Sequence, residues 1–448
     1  MKDTGMLTDR RTPEWHRLVR RLVLVLGILT LCLGLLAPEF RGQLLFSGGV
    51  LLLIGWFLQP LSRHYRTIAV VFLNTVLLLL VIEFLATATL ATVNVRFVRD
   101  LLESVMGRPS KLVDHYLALP YYTDQEWSQQ YWSELLQALR KDYYPYVIWR
   151  SPGFKGELLN IDAHGRRMTP DATCSPDALR VYVFGGSSTW GWGAPDWGTV
   201  PAYLQQQLSR QHAEPVCVVN YGENAFVSTQ NVVQLLLLLD AGDVPDAVVF
   251  LDGVNDVLAA SQNRVPLVHQ NFEEIAALFE EPDPPLLTWV RDLHTVTLLQ
   301  TLVRESGLAA TAGSSAIGPG PDDLADAVAR TYLNNYRIVS ALAGSYGFRY
   351  YFFLQPYILA GDKVLTPEEQ DMPTGLNWVF NLDATVVDLF ADTYSRIEAG
   401  RPEHEHLYSL TGVFDEEPRQ VWLDTWGHTT PVGNERIAAA ISTVVDLR

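Results

Sequence analysis

Three apolar stretches in the first hundred residues restrict what this chain can fold into more than any other feature. They lie at residues 22–38, 43–59 and 67–90. Each reaches or approaches the roughly 20 residues that a helix needs to cross the apolar core of a bilayer. Only four residues separate the first two stretches, so we expect a tight helical hairpin there. The sequence therefore predicts three transmembrane helices, with the membrane lipid bilayer as a partner.

Two features of these stretches leave alternatives open. The first stretch could be a cleaved signal peptide, but two more apolar stretches follow and no small-residue cleavage site stands out. Glu83 lies inside the third stretch, where a carboxylate is a functional candidate by default. Because Glu83 falls in the last third of that stretch, we favour an interfacial position, hydrated or hydrogen-bonded to a neighbouring helix.

The positions of Lys and Arg predict the orientation of these helices, because both accumulate on the cytoplasmic side of a membrane. The first loop contains only Arg41, and the second contains Arg63 and Arg66. The N-terminus carries more basic residues, namely Lys2, Arg10, Arg11, Arg17, Arg20 and Arg21. We expect a multi-pass protein with a cytoplasmic N-terminus and an extracytoplasmic chain beyond residue 95. Arg96 and Arg99 weakly oppose this orientation.

Charge is divided unevenly along the chain. Residues 1–100 hold 11 Lys/Arg and 6 Asp/Glu, a net charge of +5, whereas the rest hold 22 and 44, a net charge of −22. So acidic a body argues against nucleic-acid binding, which requires a basic surface for phosphates. Three cysteines are too few for a fold built on disulfides.

Beyond the apolar stretches the chain predicts a connector and an α/β domain. Residues 96–177 are rich in Tyr, Trp and Pro, which is typical of a packed connector. From residue 178 onward, short apolar strands alternate with helices, the pattern of a parallel sheet covered on both faces. Five strands are expected, at 180–184, 216–221, 247–251, 349–354 and 406–410. Ligands of such sheets bind beyond the carboxyl ends of the strands.

Four short motifs carry the chemistry, and three of them follow predicted strands. In chain order they read FGGSST at 184–189, NYGEN at 220–224, DGVND at 252–256 and DTWGH at 424–428. Together, with the following P-x-G-N-x-x-x-A, they resemble the SGNH (GDSL-type) hydrolase superfamily over residues 178–448. The resemblance implies a three-layer α/β/α domain with a mainly parallel five-stranded sheet.

Particular residues fit the roles that this chemistry needs. A serine hydroxyl attacks only when a base removes its proton, so Ser187 is the candidate nucleophile and His428 the candidate base. Asp424 would orient and stabilise the histidine. The resemblance implies that the oxyanion is bound by the amide groups of Ser187 and Gly222 and by the Asn255 side chain.

The sequence departs from the family pattern at two positions. Gly186 stands where the family usually has Asp, and Asp424 lies four residues before His428 instead of three, with Thr425 at the usual position. Residues separated by three or four share one face of a helical turn, so we expect Asp424 to reach His428.

Several other residues have competing interpretations. Trp190, Trp192 and Gln355 are candidates for the substrate pocket, although the tryptophans, with Trp197, could equally be core residues. His404 and His406 are expected in a solvated turn and not at a metal, since no matching ligand set occurs elsewhere. Cys174 and Cys217 could pair in an oxidising compartment, but we favour Cys217 as a small core residue.

The function predicted from these features is a membrane-anchored serine esterase that forms an acyl-serine intermediate. No metal and no organic cofactor is implied. The expected substrate is an O-acyl ester, an O-acetyl group on an envelope glycan or a lipid ester. An O-acyltransferase acting on envelope polysaccharide and a catalytically silent glycan-binding or scaffold module remain alternatives. Envelope proteins are possible partners.

Overall fold

A computed structural model describes residues 14–36, 41–105, 111–276, 293, 295–296, 323–375 and 384–447. The chain divides into two compact units. One comprises Met1–Val93 with Pro284–Glu305, and the other comprises Asn94–Asp283 with Ser306–Arg448. Lys2, Arg10 and Arg11, which contribute to the predicted orientation, lie outside the described residues.

The first unit is built on two long helices, α1 (Glu14–Leu36) and α2 (Arg41–Val105). The helices form the expected antiparallel pair, with glycines at their contacts. A Cβ on Gly48 would lie 2.7 Å from the Leu31 side chain, and one on Gly55 would lie 2.6 Å from that of Leu24. Small residues of this kind let two helices approach closely, as they do in membranes.

The prediction of three separate transmembrane helices is corrected. The second and third apolar stretches belong to one 65-residue helix, which continues through Pro60 and residues 61–66 between them. At 1.5 Å per residue, this helix is about 100 Å long, roughly three times the thickness of a bilayer core. Among the described residues, Ala69–Thr87 alone is long and apolar enough to cross a membrane.

Glu83 takes the hydrogen-bonded role that we favoured. Its Oε2 accepts from the Thr295 hydroxyl at 2.6 Å and from the Thr295 amide at 3.1 Å, both within the first unit. The carboxylate is therefore bound by a neighbouring segment.

The second unit contains a five-stranded parallel sheet, as the sequence predicted. Its order is β6-β5-β7-β8-β9, and every neighbouring pair is parallel. The apolar strands are buried on both faces, since helices cover the sheet on each side. The strands are β5 (Leu179–Gly185), β6 (Val216–Asn220), β7 (Ala247–Asp252), β8 (Arg349–Leu354) and β9 (Leu407–Ser409).

The sheet order places the helices in two layers. The chain moves one way from β5 to β6 and the other way from β6 to β9, so right-handed crossovers put the connecting helices on opposite faces. One layer pairs α7 with α14, and the other packs α11 against α8, α9 and α13. The helices are α6 (Ser187–Trp190), α7 (Val200–Gln211), α8 (Ser228–Asp240), α9 (Val254–Asn263), α10 (Phe272–Ala276), α11 (Leu324–Tyr346), α12 (Pro367–Gly375), α13 (Ala384–Gly400) and α14 (Pro431–Ser442).

The predicted connector is part of the second unit and not a separate domain. Its aromatic residues, among them Tyr116, Tyr131 and Trp132, belong to the same hydrophobic core as the sheet. Its elements are α3 (Lys111–Ala118), α4 (Pro120–Thr123), α5 (Ser128–Ala138) and the hairpin strands β1 (Asp142–Tyr144), β2 (Ile148–Arg150), β3 (Phe154–Lys155) and β4 (Asn160–Ile161).

A disulfide joins Cys174 to Cys217, with Cα atoms 5.0 Å apart. The expectation of an unpaired core cysteine is thus half right, because Cys217 is fully buried in β6 and is also bonded. The remaining cysteine, Cys32, is free.

Candidate active site

Ser187 lies where β5 ends and the short helix α6 begins, at the carboxyl edge of the sheet. The backbone turns there at Gly186, and Gly191 ends α6 with a φ of +100°, which favours glycine. The first amide of a helix has no partner within that helix. None of the hydrogen bonds found among the described residues uses the Ser187 amide, so it is available as a donor.

The structure brings Ser187, His428 and Asp424 together. His428 Nε2 lies 2.7 Å from Ser187 Oγ, and His428 Nδ1 lies 2.6 Å from Asp424 Oδ2. Both distances are those of hydrogen bonds. The serine, the imidazole and the carboxylate therefore form a continuous chain of hydrogen bonds, although 241 residues of sequence separate Ser187 from His428.

Asp424 is fully buried yet stays ionised. Burial alone would raise the pKa of Asp424, but the His428 charge and the hydrogen bonds from His428, Tyr116 and the Trp426 amide lower it below its usual range. A carboxylate held in this state fixes the imidazole tautomer and stabilises the imidazolium that forms during attack.

The four-residue spacing from Asp424 to His428 is accommodated by a loop and not by the helical turn that we expected. The Leu423 amide donates to the His428 carbonyl at 3.0 Å, and Gly427 has a φ of +82°. Asp424 Oδ1 accepts from the Trp426 amide at 2.8 Å, as in a side-chain-capped turn. The extra residue is therefore absorbed in a closed loop that returns His428 to its acid.

Tyr116 is a site residue that the motifs did not reveal. Its hydroxyl donates to Asp424 Oδ2 at 2.5 Å, and its ring stacks on Trp132 with centroids 4.3 Å apart. Burial and the neighbouring Asp424 charge raise the pKa of Tyr116 well above its usual value, so the hydroxyl remains a donor. The only signal in the sequence was the aromatic richness of the connector.

The Asn255 side chain is oriented by two hydrogen bonds. Its Nδ2 donates to the Phe226 carbonyl at 2.8 Å, and its Oδ1 accepts from Gln270 Nε2 at 3.3 Å. A Cβ on Gly186 would lie 2.3 Å from Asn255 Nδ2. The absence of a Cβ at Gly186 therefore lets the Asn255 amide lie against the nucleophile turn, which gives the family departure there a physical reason.

Gly222 does not occupy the predicted oxyanion position. Its amide donates to Asn220 Oδ1 at 2.9 Å, and a Cβ there would lie 2.4 Å from the Trp190 nitrogen. Gly222 is needed for close packing behind the site. Ala225 lines the cavity instead, with a φ of +64°, and no hydrogen bond among the described residues uses its amide. Ala225 is thus the residue of this loop that can supply a donor.

A cavity of about 200 Å³ opens beside Ser187. Its walls combine the serine and histidine of the triad, two tryptophans and three amide side chains. The Trp192 ring stacks on the His428 ring with centroids 5.2 Å apart, and Trp426 meets the same ring edge-on at 6.0 Å. The lining residues are Ser187, Trp192, Asn224, Ala225, Asn255, Leu258, Gln270, Trp426 and His428.

Two predicted pocket residues lie elsewhere. Trp190 is fully buried against the Arg167 guanidinium, with 4.6 Å between that group and the ring centroid. Gln355 donates to Ser188 Oγ at 2.8 Å, and Ser188 Oγ donates to the Gly427 carbonyl at 2.8 Å. Trp190 is therefore a core residue, and Gln355 supports the loop that carries His428.

His404 does not lie in a solvated turn as we expected, whereas His406 lies in a turn and is partly exposed. His404 is 5% exposed, and its Nδ1 lies 2.7 Å from the Gly400 carbonyl. His406 faces Tyr350, with ring centroids 4.8 Å apart. Among the described residues, no group of three or more His, Cys, Asp or Glu side chains could hold a metal ion.

Comparison with known proteins finds solved structures alone. No family model matches the chain, and no curated protein does. LAE5, an α/β hydrolase enzyme from the metagenome of Lake Arreo in Spain, is 13% identical with a TM-score of 0.34, over 61% of this chain and 96% of that chain. Axe2, an acetylxylan esterase from Geobacillus stearothermophilus, is 14% identical with a TM-score of 0.32, over 61% and 96%.

A member of the lipolytic G-D-S-L family from Veillonella parvula is similar to the same extent. It is 14% identical with a TM-score of 0.33, over 60% of this chain and 98% of that chain. At these identities and TM-scores the likeness carries no conclusion about activity. The chemistry has to be judged from the geometry of the site.

Proposed function

We propose that this protein is a serine esterase that hydrolyses an O-acyl ester through an acyl-serine intermediate. The observation that carries the proposal is the hydrogen-bonded relay of 2.7 and 2.6 Å from Ser187 through His428 to Asp424. His428 Nε2 accepts the Ser187 proton as the hydroxyl attacks the ester carbonyl. The same proton then passes to the departing alcohol.

The developing oxyanion has three candidate donors at the cavity. These are the Ser187 amide, the Ala225 amide and Asn255 Nδ2. Such donors act in a site from which water is largely excluded, where one of them is worth about 3 kcal/mol of the barrier. Water then attacks the acyl-serine, again with His428 as base, and the free carboxylic acid leaves.

The size of the cavity favours a short acyl group. About 200 Å³ accommodates an acetyl group and part of its alcohol. We therefore propose an O-acetyl ester as the substrate. The 2.6 Å contact between Asp424 Oδ2 and His428 Nδ1 favours catalysis over a silent binding module, because it orients the base toward Ser187.

We also propose that Ala69–Thr87 anchors the enzyme in a membrane with the second unit outside the cytoplasm. Arg63 and Arg66 precede this segment, and the next basic residue after it is Arg96. Positive residues before the segment favour a cytoplasmic start. The Cys174–Cys217 disulfide supports the same placement, since disulfides persist in oxidising compartments.

Labelling with a fluorophosphonate probe tests the catalytic proposal. The full chain in detergent should be labelled and should hydrolyse 4-nitrophenyl acetate, and Ser187→Ala should lose both. Ser345→Ala is the matched control, because it removes an exposed serine hydroxyl near the end of α11, away from the site, and should still be labelled. A wild-type protein that neither labels nor cleaves the ester would show that the proposal is wrong.

A further inference from the structure

The β1–β2 hairpin carries three exposed tyrosine side chains. Tyr143 is 75% exposed, Tyr146 is 77% exposed and Tyr144, between them, is 39% exposed. Burying a tyrosine ring normally stabilises a fold, so rings left in water at one place mark a surface that another molecule covers.

The backbone of this hairpin is strained at the position that presents the rings. Tyr146 has a φ of +67° and Ile148 a φ of +77°, both in the left-handed region that disfavours side chains. Each is the middle residue of a three-residue turn, closed by the Val147 amide to the Pro145 carbonyl and by the Trp149 amide to the Val147 carbonyl. Strain of this kind persists where the surroundings enforce it, and it concentrates at functional sites.

The hairpin is attached to the wall of the catalytic cavity. Trp149 Nε1 donates to the Asn224 carbonyl at 3.0 Å, and Asn224 lines the cavity. Gln230 Nε2 donates to the carbonyl of the buried Val147 at 2.8 Å. The hairpin that bears the tyrosines therefore lies next to the wall of the cavity beside Ser187.

We infer that the tyrosine hairpin binds a polysaccharide chain whose O-acyl group enters the cavity, an inference that rests on the proposed esterase activity. A pyranose ring has an apolar face and a rim of hydroxyls, which match the face and the hydroxyl of an exposed tyrosine. The Gln270 side chain at the cavity carries an amide that suits the same hydroxyls. The hairpin thus lies where the sugar units next to the ester would lie.

A lipid surface fits this hairpin less well. Segments that lie on membranes expose Leu, Phe or Trp together with Lys or Arg. The exposed residues of residues 142–150 are Asp142, the three tyrosines and Pro145. The guanidinium of Arg150 lies over the Tyr144 ring at 4.3 Å.

Affinity electrophoresis of the full chain in detergent tests the inference. The gels contain xylan, glucan, mannan, galactan or poly-N-acetylglucosamine, each native and chemically O-acetylated. We expect at least one polymer to retard the protein, and the Tyr143→Ala/Tyr146→Ala double variant to bind it about tenfold more weakly, from the loss of two stacked rings. Hydrolysis of 4-nitrophenyl acetate should be unchanged, because neither ring lines the cavity. Tyr346→Ala, which removes a 46% exposed tyrosine from α11, is the matched control and should bind as wild type.

Three results would overturn the inference: no retardation by any polymer, equal retardation of wild type and the double variant, or slower hydrolysis of micellar 4-nitrophenyl palmitate with polymer binding intact. The last would assign the hairpin to lipid. Failure of the esterase proposal gives a different result: the wild-type protein would not hydrolyse 4-nitrophenyl acetate, whether or not a polymer retards it.

Discussion

Tyr116 acts on the reaction through Asp424, and its contribution can be measured without disturbing the core. Tyr116→Phe removes the 2.5 Å hydrogen bond and keeps the ring that stacks on Trp132. With one donor fewer, the pKa of Asp424 rises, so the carboxylate is protonated at a higher pH. The acid limb of the kcat profile reports protonation of the coupled Asp424–His428 pair. Because a more basic carboxylate favours the protonated pair, we expect that limb to move to higher pH, and kcat to fall several-fold.

The buried Tyr332 provides a control for this experiment. Its hydroxyl has no hydrogen-bond partner among the described residues, and Tyr332→Phe should leave the profile unchanged. An acid limb at the same pH in wild type and Tyr116→Phe would mean that Tyr116 only packs against the site.

Gly186 sets the position of the Asn255 amide. Gly186→Ala would bring a Cβ to 2.3 Å from Asn255 Nδ2, and the amide is the group that can move. Losing one oxyanion donor costs about 100-fold in kcat. We expect a loss of this size with little change in KM, measured on 4-nitrophenyl acetate.

A glycine elsewhere shows whether such a loss is specific. A Cβ on Gly344, inside α11, meets nothing within 4 Å, so Gly344→Ala should keep full activity and slightly stabilise the helix. Unchanged kcat in Gly186→Ala would exclude Asn255 from the oxyanion site.

The sequence revealed the residues whose roles depend on local motifs. Ser187 and His428 follow from glycine-rich and histidine-containing motifs in a fixed order, and the structure brings them to 2.7 Å. The prediction of Gly222 as an oxyanion donor was wrong, because its amide is bonded to Asn220 Oδ1. The Ala225 amide in the same loop makes no hydrogen bond among the described residues, and only the backbone geometry shows this. The role of Tyr116 could not be predicted from the sequence, since 308 residues separate it from Asp424.

At the scale of elements, the connector fixes the loop that follows the nucleophile. Arg167 is 1% exposed and pairs with Asp196 at 2.9 Å, and it donates to the carbonyls of Gly191 and Ala194 at 2.7 Å. Arg167→Met leaves the Asp196 carboxylate buried without this partner, which costs about 3 to 5 kcal/mol. We expect that fall in the free energy of unfolding, measured by urea titration of the full chain.

The exposed pair of Arg140 and Asp142 is the matched control. Their side chains are 73% and 50% exposed, so water screens the pair and Arg140→Met should cost less than about 1 kcal/mol. Equal losses in the two variants would mean that Arg167 contributes nothing beyond an ordinary surface ion pair.

Elements were predictable where periodicity or burial defined them and not where a boundary depended on a few residues. The five apolar strands stand within a few residues of their predicted positions, because burial on both faces leaves a clear apolar run. The predicted boundary within α2 was wrong, because the helix continues through Pro60, a residue that commonly ends or kinks a helix. The loop from Asp424 to His428 was mistaken for a helical turn because its hydrogen bonds are donated by the backbone amides of Leu423 and Trp426, which the residue types do not reveal.

At the scale of the whole molecule, the uneven distribution of charge along the chain and the disulfide both concern the side of the membrane on which the second unit lies. The basic residues of the first hundred favour a cytoplasmic N-terminus, and one crossing by Ala69–Thr87 then takes the acidic remainder out of the cytoplasm.

The thiols of the protein can decide this placement. The chain has three cysteines, of which Cys174 and Cys217 are bonded and Cys32 is free. Cells are quenched with acid, and the denatured protein is treated with maleimide-polyethylene glycol. In an oxidising compartment we expect one polyethylene glycol label per protein chain without reduction and three labels after reduction. Cys174→Ser should give two in either case. Three polymers on unreduced wild type would place the second unit in a reducing compartment and contradict the proposed location.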